Sequence, residues 1–146
     1  MLNNIQKLRE ITGAGVMECK KALEESGGDI DKAVKIIHEQ GIFKAEQKSE
    51  RRTGAGLLTT YIHNERIGVL LELRCETDFV VKSKPFRELA HELAMQISAM
   101  APEDAEELQK QPYIKDESIT VAEFVKRTIA QVGENIRVER FCRYEL

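Results

Sequence analysis

Along this chain the spacing of apolar residues switches from three-and-four to two near Leu57, and no single run of helix or strand serves both periods. Before the switch the pattern is helical. Ile5 and Leu8 mark a first helix, stopped at Thr12-Gly13-Ala14-Gly15, where two glycines permit backbone angles a helix cannot use. Val16, Cys19, Ala22 and Leu23 carry a second helix, ended by Gly27-Gly28. Asp29 is then a good N-cap, because its carboxylate can accept the free amides of the next turn. Ile30, Ala33, Val34 and Ile37 make the third apolar stripe, which Gly41 is expected to close.

Three short amphipathic helices joined by tight glycine turns can bury one small core. Residues 1–42 therefore read as a three-helix module of the ubiquitin-associated kind, a fold whose usual work is holding a partner. Residues 43–55 are polar and glycine-containing, and read as a linker, helical or extended.

From Leu57 the alternation is that of strands. Leu57 to His63 is one, Asn64-Glu65-Arg66 a turn, and Ile67 to Glu76 a second. Val69, Leu71, Leu73 and Cys75 face one way while Glu72, Arg74 and Glu76 face the other, the mark of a sheet with one buried face. Ser83 and Pro85 announce a helix whose Phe86, Leu89, Ala90, Leu93, Ala94 and Ile97 can cover that face. A short acidic segment follows, then Thr120 and Glu123 form a capping-box pattern before Val121, Phe124, Val125, Ile129 and Val132, closed by Gly133. A last strand, 135–146, is expected to alternate Ile136, Val138, Cys142 and Tyr144 inward. The fold class is α+β: the helical module, then residues 56–146 as a three-stranded antiparallel sheet covered by helices.

Charge and cysteine content narrow the chemistry. With 22 Lys plus Arg against 25 Asp plus Glu, the net charge of −3 argues against a nucleic-acid partner, which usually calls for a basic stripe. The nearest candidate, Lys44, Lys48, Arg51 and Arg52, is diluted by Glu46 and Glu50. No apolar run reaches the roughly 18 residues of a membrane span, and the N-terminus carries no leader pattern, so a cytoplasmic protein is expected. Cys19, Cys75 and Cys142 are odd in number and far apart, suiting buried free thiols rather than a metal site or disulfide framework.

Convergent reactive groups are not evident. His38, His63 and His91 are scattered, and Gly13 and Gly15 lack the strand-loop-helix setting of a phosphate loop. A binding protein remains, with no cofactor and no metal of its own expected. Cys75-Glu76-Thr77-Asp78-Phe79-Val80-Val81 stands out: it is either a core plug at a strand end or a loop presenting Phe79 to a partner. Two further readings compete, an adaptor using the helical module alone and a thiol enzyme using Cys75.

At these residues a family resemblance enters. Leu8 to Leu23, continued by Gly28-Asp29-Ile30-Asp31-Lys32-Ala33, closely resembles the N-terminal signature of elongation factor Ts. Leu71 to Val80 resembles the family's second signature, and Gln111 to Asp116 and Gly133 to Phe141 its C-terminal part. The resemblance implies a guanine-nucleotide exchange factor, not an enzyme, whose partner is elongation factor Tu in GDP-bound and nucleotide-free states. It implies that Leu8, Thr12, Gly13, Ala14, Gly15, Val16, Met17, Lys20 and Leu23 meet the GTPase domain. Thr77, Asp78, Phe79 and Val80 would dislocate its magnesium ion. Short family members pair through their sheet domains, so a homodimer through the C-terminal sheet is implied as well. The chain departs from longer members in one respect. Where they carry a large insertion, only Ala101 to Lys110 stand here.

Overall fold

Capping chemistry sets the helix ends of the N-terminal part in the computed structural model, which describes residues 1–146. Helix α1, Leu2–Thr12, stops because Gly13 turns left-handed at φ 69°, its N–H donating to the Arg9 carbonyl. Helix α2, Val16–Glu25, starts at Gly15, whose N–H donates to the Glu18 carboxylate reaching back at 3.3 Å. Helix α3, Ile30–Gln47, is capped by the Asp29 carboxylate, which accepts from Lys32 N at 3.1 Å. Ile5, Leu8, Cys19, Ala22, Leu23 and Ala33 form one small buried core among these helices.

Gly41 does not end α3, and residues 43–47, read as linker, are helical. The glycine serves a different purpose. A Cβ there would lie 3.1 Å from the Cβ of Ala130, so its bare backbone lets α3 cross closely over the helix containing Ala130. One turn further on, Ala45 is buried in the second and larger core. A single helix therefore contributes to both cores.

The sheet consists of β1 (Ala55–His63), β2 (Ile67–Cys75) and β5 (Arg137–Glu145), antiparallel in the order β1-β2-β5. Asn64 and Glu65 take positive φ of 50° and 59° in the tight turn between the first two strands. Val69, Leu71, Leu73 and Cys75 are all buried, as the alternation predicts, under α5 (Lys84–Met100) and in one core with residues of α7 (Val121–Val132). Helix α7 is capped by Thr120, whose hydroxyl accepts from Glu123 N at 3.2 Å. Between α5 and α7 lie the short helix α6 (Ala105–Lys110) and a small hairpin of β3 (Pro112–Tyr113) and β4 (Asp116–Thr120). The sequence pattern does not foretell that hairpin. Gln96, fully buried in α5, anchors it by donating to the Pro112 carbonyl at 3.0 Å and accepting from Ile114 N at 3.0 Å.

The last strand departs from its expected alternation. Leu73 pairs with Val138 and Glu72 with Arg140, leaving Glu139 as an unpaired bulge residue. One extra residue reverses every later side chain. Phe141 and Arg143 therefore turn toward the helices, while Cys142 and Tyr144 face outward and are exposed. Arg143 donates there to the carbonyl of Ser98 in α5, at 3.2 Å from Nε and 3.0 Å from Nη2, while its Nη1 pairs with the Glu145 carboxylate at 2.9 Å. Cys142 is thus an exposed thiol rather than a core hydrophobe.

Candidate functional site

Two surfaces carry the residues singled out by sequence, and both adjoin the C-terminal end of α7. The first is the turn after β2. Thr77 caps a single helical turn, α4 (Asp78–Val81), its hydroxyl accepting from Val80 N at 3.4 Å. Within that turn neighbours have opposite fates: Val80 is 4% exposed and belongs to the main core, while Phe79 is 85% exposed. The segment is therefore both a core plug and a presented aromatic, because one helical turn points successive side chains about 100° apart. Asp78 stands exposed beside Phe79 in the first turn of α4.

What holds this turn comes from far along the chain. Gly133, at φ 77°, ends α7 and swings Glu134 toward the turn. The Glu134 carboxylate accepts from Glu76 N at 3.1 Å, Thr77 N at 2.9 Å and Thr77 Oγ1 at 2.7 Å. Asn135 N in turn donates to the Glu76 carboxylate at 2.9 Å, and its side chain donates to the carbonyls of Ser49 and Arg51 at 3.3 and 2.9 Å. Arg51 approaches Glu76 at 3.7 Å. Sequence reasoning assigned no role to Glu76, Glu134 or Asn135. Glu134 and Asn135 lie inside the C-terminal motif, but their partners are 57 and more residues away, beyond any local pattern.

The second surface is the turn between α1 and α2. Met17 is 72% exposed and Val16 and Ile11 are exposed beside Lys20. Leu8 and Leu23 are buried in the small core and support this surface from beneath. Thr12 donates from its hydroxyl to the Leu8 carbonyl at 2.7 Å and accepts from Ala14 N at 3.2 Å, so the turn has a defined shape. Gln131, near the end of α7, lies directly against Gly13. A polar cleft of about 80 Å³ runs between the turn, α3 and α7, lined by Thr12, Gly15, Glu18, His38, Lys44 and Arg127. Lys44 pairs with Glu18 across it and holds that carboxyl below its usual range. Burial, and then the Arg127 guanidinium, push the His38 imidazole below its ordinary value, favouring its neutral form.

Cys75 is fully buried, its thiol pushed up by burial and donating to the Thr77 carbonyl at 3.3 Å. A neutral, enclosed thiol does not suit a nucleophile, and the thiol-enzyme reading falls. A third surface was not drawn from the sequence in this form. With the bulge in β5, the outer sheet face carries Leu58, Ile62, Leu70, Cys142 and Tyr144, all exposed.

Exposed apolar side chains on braced turns and on an open sheet face are the build of a protein-docking factor. Comparison with known proteins makes the class specific. A family model described as elongation factor TS matches residues 76–146. The elongation factor Ts of Thermotoga neapolitana is 44% identical over 186 residues, covering 97% of this chain and 94% of the relative. That of Gloeothece citriformis is 43% identical over 189 residues, covering 97% of this chain and 66% of the relative. A chloroplastic elongation factor Ts from Cyanidioschyzon merolae is 42% identical over 191 residues, covering 97% and 91%. The chain belongs to the elongation factor Ts family, a family of translation elongation factors. These alignments are longer than the 146-residue chain by at least 40 positions, so its relatives carry residues that have no counterpart here. No helix is long and apolar enough to cross a membrane.

Proposed function

We propose that this protein is a guanine-nucleotide exchange factor that binds elongation factor Tu, dislocates its magnesium ion and promotes GDP release. The observation that carries this reading is Phe79, 85% exposed beside Asp78 on a turn anchored by buried Val80 and clamped by Glu134. A rigidly held aromatic loses little conformational freedom on docking, so most of its burial energy is available to deform the partner. Burying one phenylalanine supplies about 1.5–3 kcal/mol. Magnesium tolerates little distortion of its octahedral ligands, so a deformation of that size weakens the ion and, through it, the hold on the nucleotide phosphates. Thr77 and Val80 serve the same stretch, the first by capping the turn and the second by anchoring it.

In this reading the turn 12–17, with Val16, Met17 and Lys20 outward, docks on the GTPase domain, and Leu8 and Leu23 hold its shape from the core. GDP-bound and nucleotide-free factor are both bound. Coupling is reciprocal, so GDP must weaken the protein's grip by the factor the protein weakens GDP. No covalent step is needed, and the protein acts as a docking factor rather than an enzyme, in the cytoplasm. The outer sheet face, with Leu58, Ile62, Leu70 and Tyr144, is the surface through which two copies pair.

The test follows fluorescent GDP leaving preloaded elongation factor Tu. Added protein is expected to speed release to a saturating plateau, and the acceleration is expected to shrink when magnesium is first removed by chelation. Unchanged release from a cognate factor would refute the reading.

A further inference from the structure

We propose that Glu134 and Asn135 are a positioning pair that sets the Phe79 turn in a fixed relation to the N-terminal helical module; this rests on the exchange reading for its functional consequence. The two residues are adjacent but bond in different directions. Glu134 grips the turn through both carboxylate oxygens: Oε1 takes the N–H groups of Glu76 and Thr77, and Oε2 takes the Thr77 hydroxyl. Asn135 reaches the end of the helical module instead, donating from its side chain to the carbonyls of Ser49 and Arg51 just past α3. Glu76 closes the loop by accepting from Asn135 N and lying 3.7 Å from Arg51.

The Thr77 hydroxyl explains why a carboxylate is needed. A hydroxyl has one hydrogen, and Glu134, an acceptor without a proton, commands it. The oxygen's lone pairs are then free for Val80 N, the bond that caps α4. With Glu134 absent, the hydroxyl can rotate and the cap competes with other arrangements. Two backbone amides also lose a charged acceptor, and bonds to charged acceptors are about twice as strong as neutral ones. The turn is only one helical turn long, too short to persist without such support. The brace thus preserves the direction in which Phe79 projects.

Glu134→Ala and Glu134→Gln separate this role from plain structural support. In the free protein, amide hydrogen exchange at Glu76, Thr77 and Val80 is expected to quicken about tenfold or more in Glu134→Ala, while the central amides of β2 keep their protection. Unchanged protection at Thr77 overturns the proposal, whether or not the protein proves to be an exchange factor. In the GDP-release assay, Glu134→Ala is expected to lower the plateau rate about tenfold, the equivalent of about 1.4 kcal/mol, with the half-saturating concentration nearly unchanged. Glu134→Gln keeps one acceptor oxygen for the two amides but sets an NH2 donor against the Thr77 hydroxyl, so it is expected to recover only part of the plateau. Because the effect runs through Phe79, adding Glu134→Ala to Phe79→Ala should cost little further. A tenfold loss in that background as well, or a change in half-saturation alone, overturns the proposal. A wild-type protein that leaves GDP release unchanged, with the Thr77 protection lost in Glu134→Ala, refutes the exchange function and leaves the brace standing.

Discussion

Phe79 and Val80 are neighbours in one helical turn, and replacing each by alanine should produce opposite phenotypes. Phe79 is 85% exposed, so Phe79→Ala removes almost nothing from the folded protein, and its stability should stay within about 0.5 kcal/mol of wild type. Val80 is 4% exposed and packed in the main core. Val80→Ala deletes two buried carbon groups at about 0.8 kcal/mol each and leaves a cavity, about 2–3 kcal/mol in all. At this chain length that corresponds to a fall in Tm of roughly 5–10 °C. In exchange the order reverses. Phe79→Ala forfeits the burial of a phenylalanine on the partner, about 1.5–3 kcal/mol, which predicts a loss of roughly 10- to 150-fold in GDP release. Val80→Ala, measured well below its melting temperature, should lose much less, because the aromatic remains. Thermal melts and stopped-flow release of fluorescent GDP on the three proteins decide the matter. Equal exchange by Phe79→Ala and wild type would refute the wedge, and a Tm for Phe79→Ala as low as that for Val80→Ala would refute the packing account.

Three further outcomes follow from the structure. Cys142 should react with a thiol reagent in the native protein far faster than Cys19 or Cys75, both buried with thiols pushed up by burial; equal rates by mass spectrometry would refute the bulge in β5. Tyr113 is raised well above its ordinary value, chiefly by burial and then by Glu92, to which its hydroxyl donates at 3.2 Å. Its folded value exceeds the unfolded one near 10, so its contribution is complete below about pH 10 and is lost as pH rises beyond. Urea midpoints of wild type should therefore fall above about pH 10 more steeply than those of Tyr113→Phe, and parallel curves would sink the idea. Finally, Leu70→Lys puts a charge at the centre of the outer sheet face without touching the core, and sedimentation should show a dimer for wild type and a monomer for the variant. A wild-type monomer at high concentration would refute pairing through this face.

Much of this fold was legible because its signals are local. The caps at Asp29 and Thr120, the glycine stop at Gly13 and the alternation of Val69 to Cys75 each depend on residues within a few positions of one another. The misreadings arose where a distant contact overrides a local sign. Gly41 reads as a helix end, yet α3 continues because α7 packs against that bare position and Ala45 is drawn into the larger core. Cys142 and Tyr144 read as inward, yet an unpaired Glu139 reverses them, and a bulge is a property of the strand pair rather than of either strand.

The site divides in the same way. In the sequence the turns at 12–17 and 77–80 stand out by composition and by family resemblance. The helices α1 and α2 and the strand β2 beside these turns are legible too, because hydrophobic period and capping are written into neighbouring residues, whereas α4 is not. Long-range packing and bonding set the rest: Phe79 projects while Val80 anchors, Leu8 and Leu23 lie beneath their surface, and Glu134 and Asn135 bond around the turn. Those outcomes depend on hydrogen bonds closed across more than fifty residues, and whether a side chain is covered is settled by what the rest of the chain brings over it.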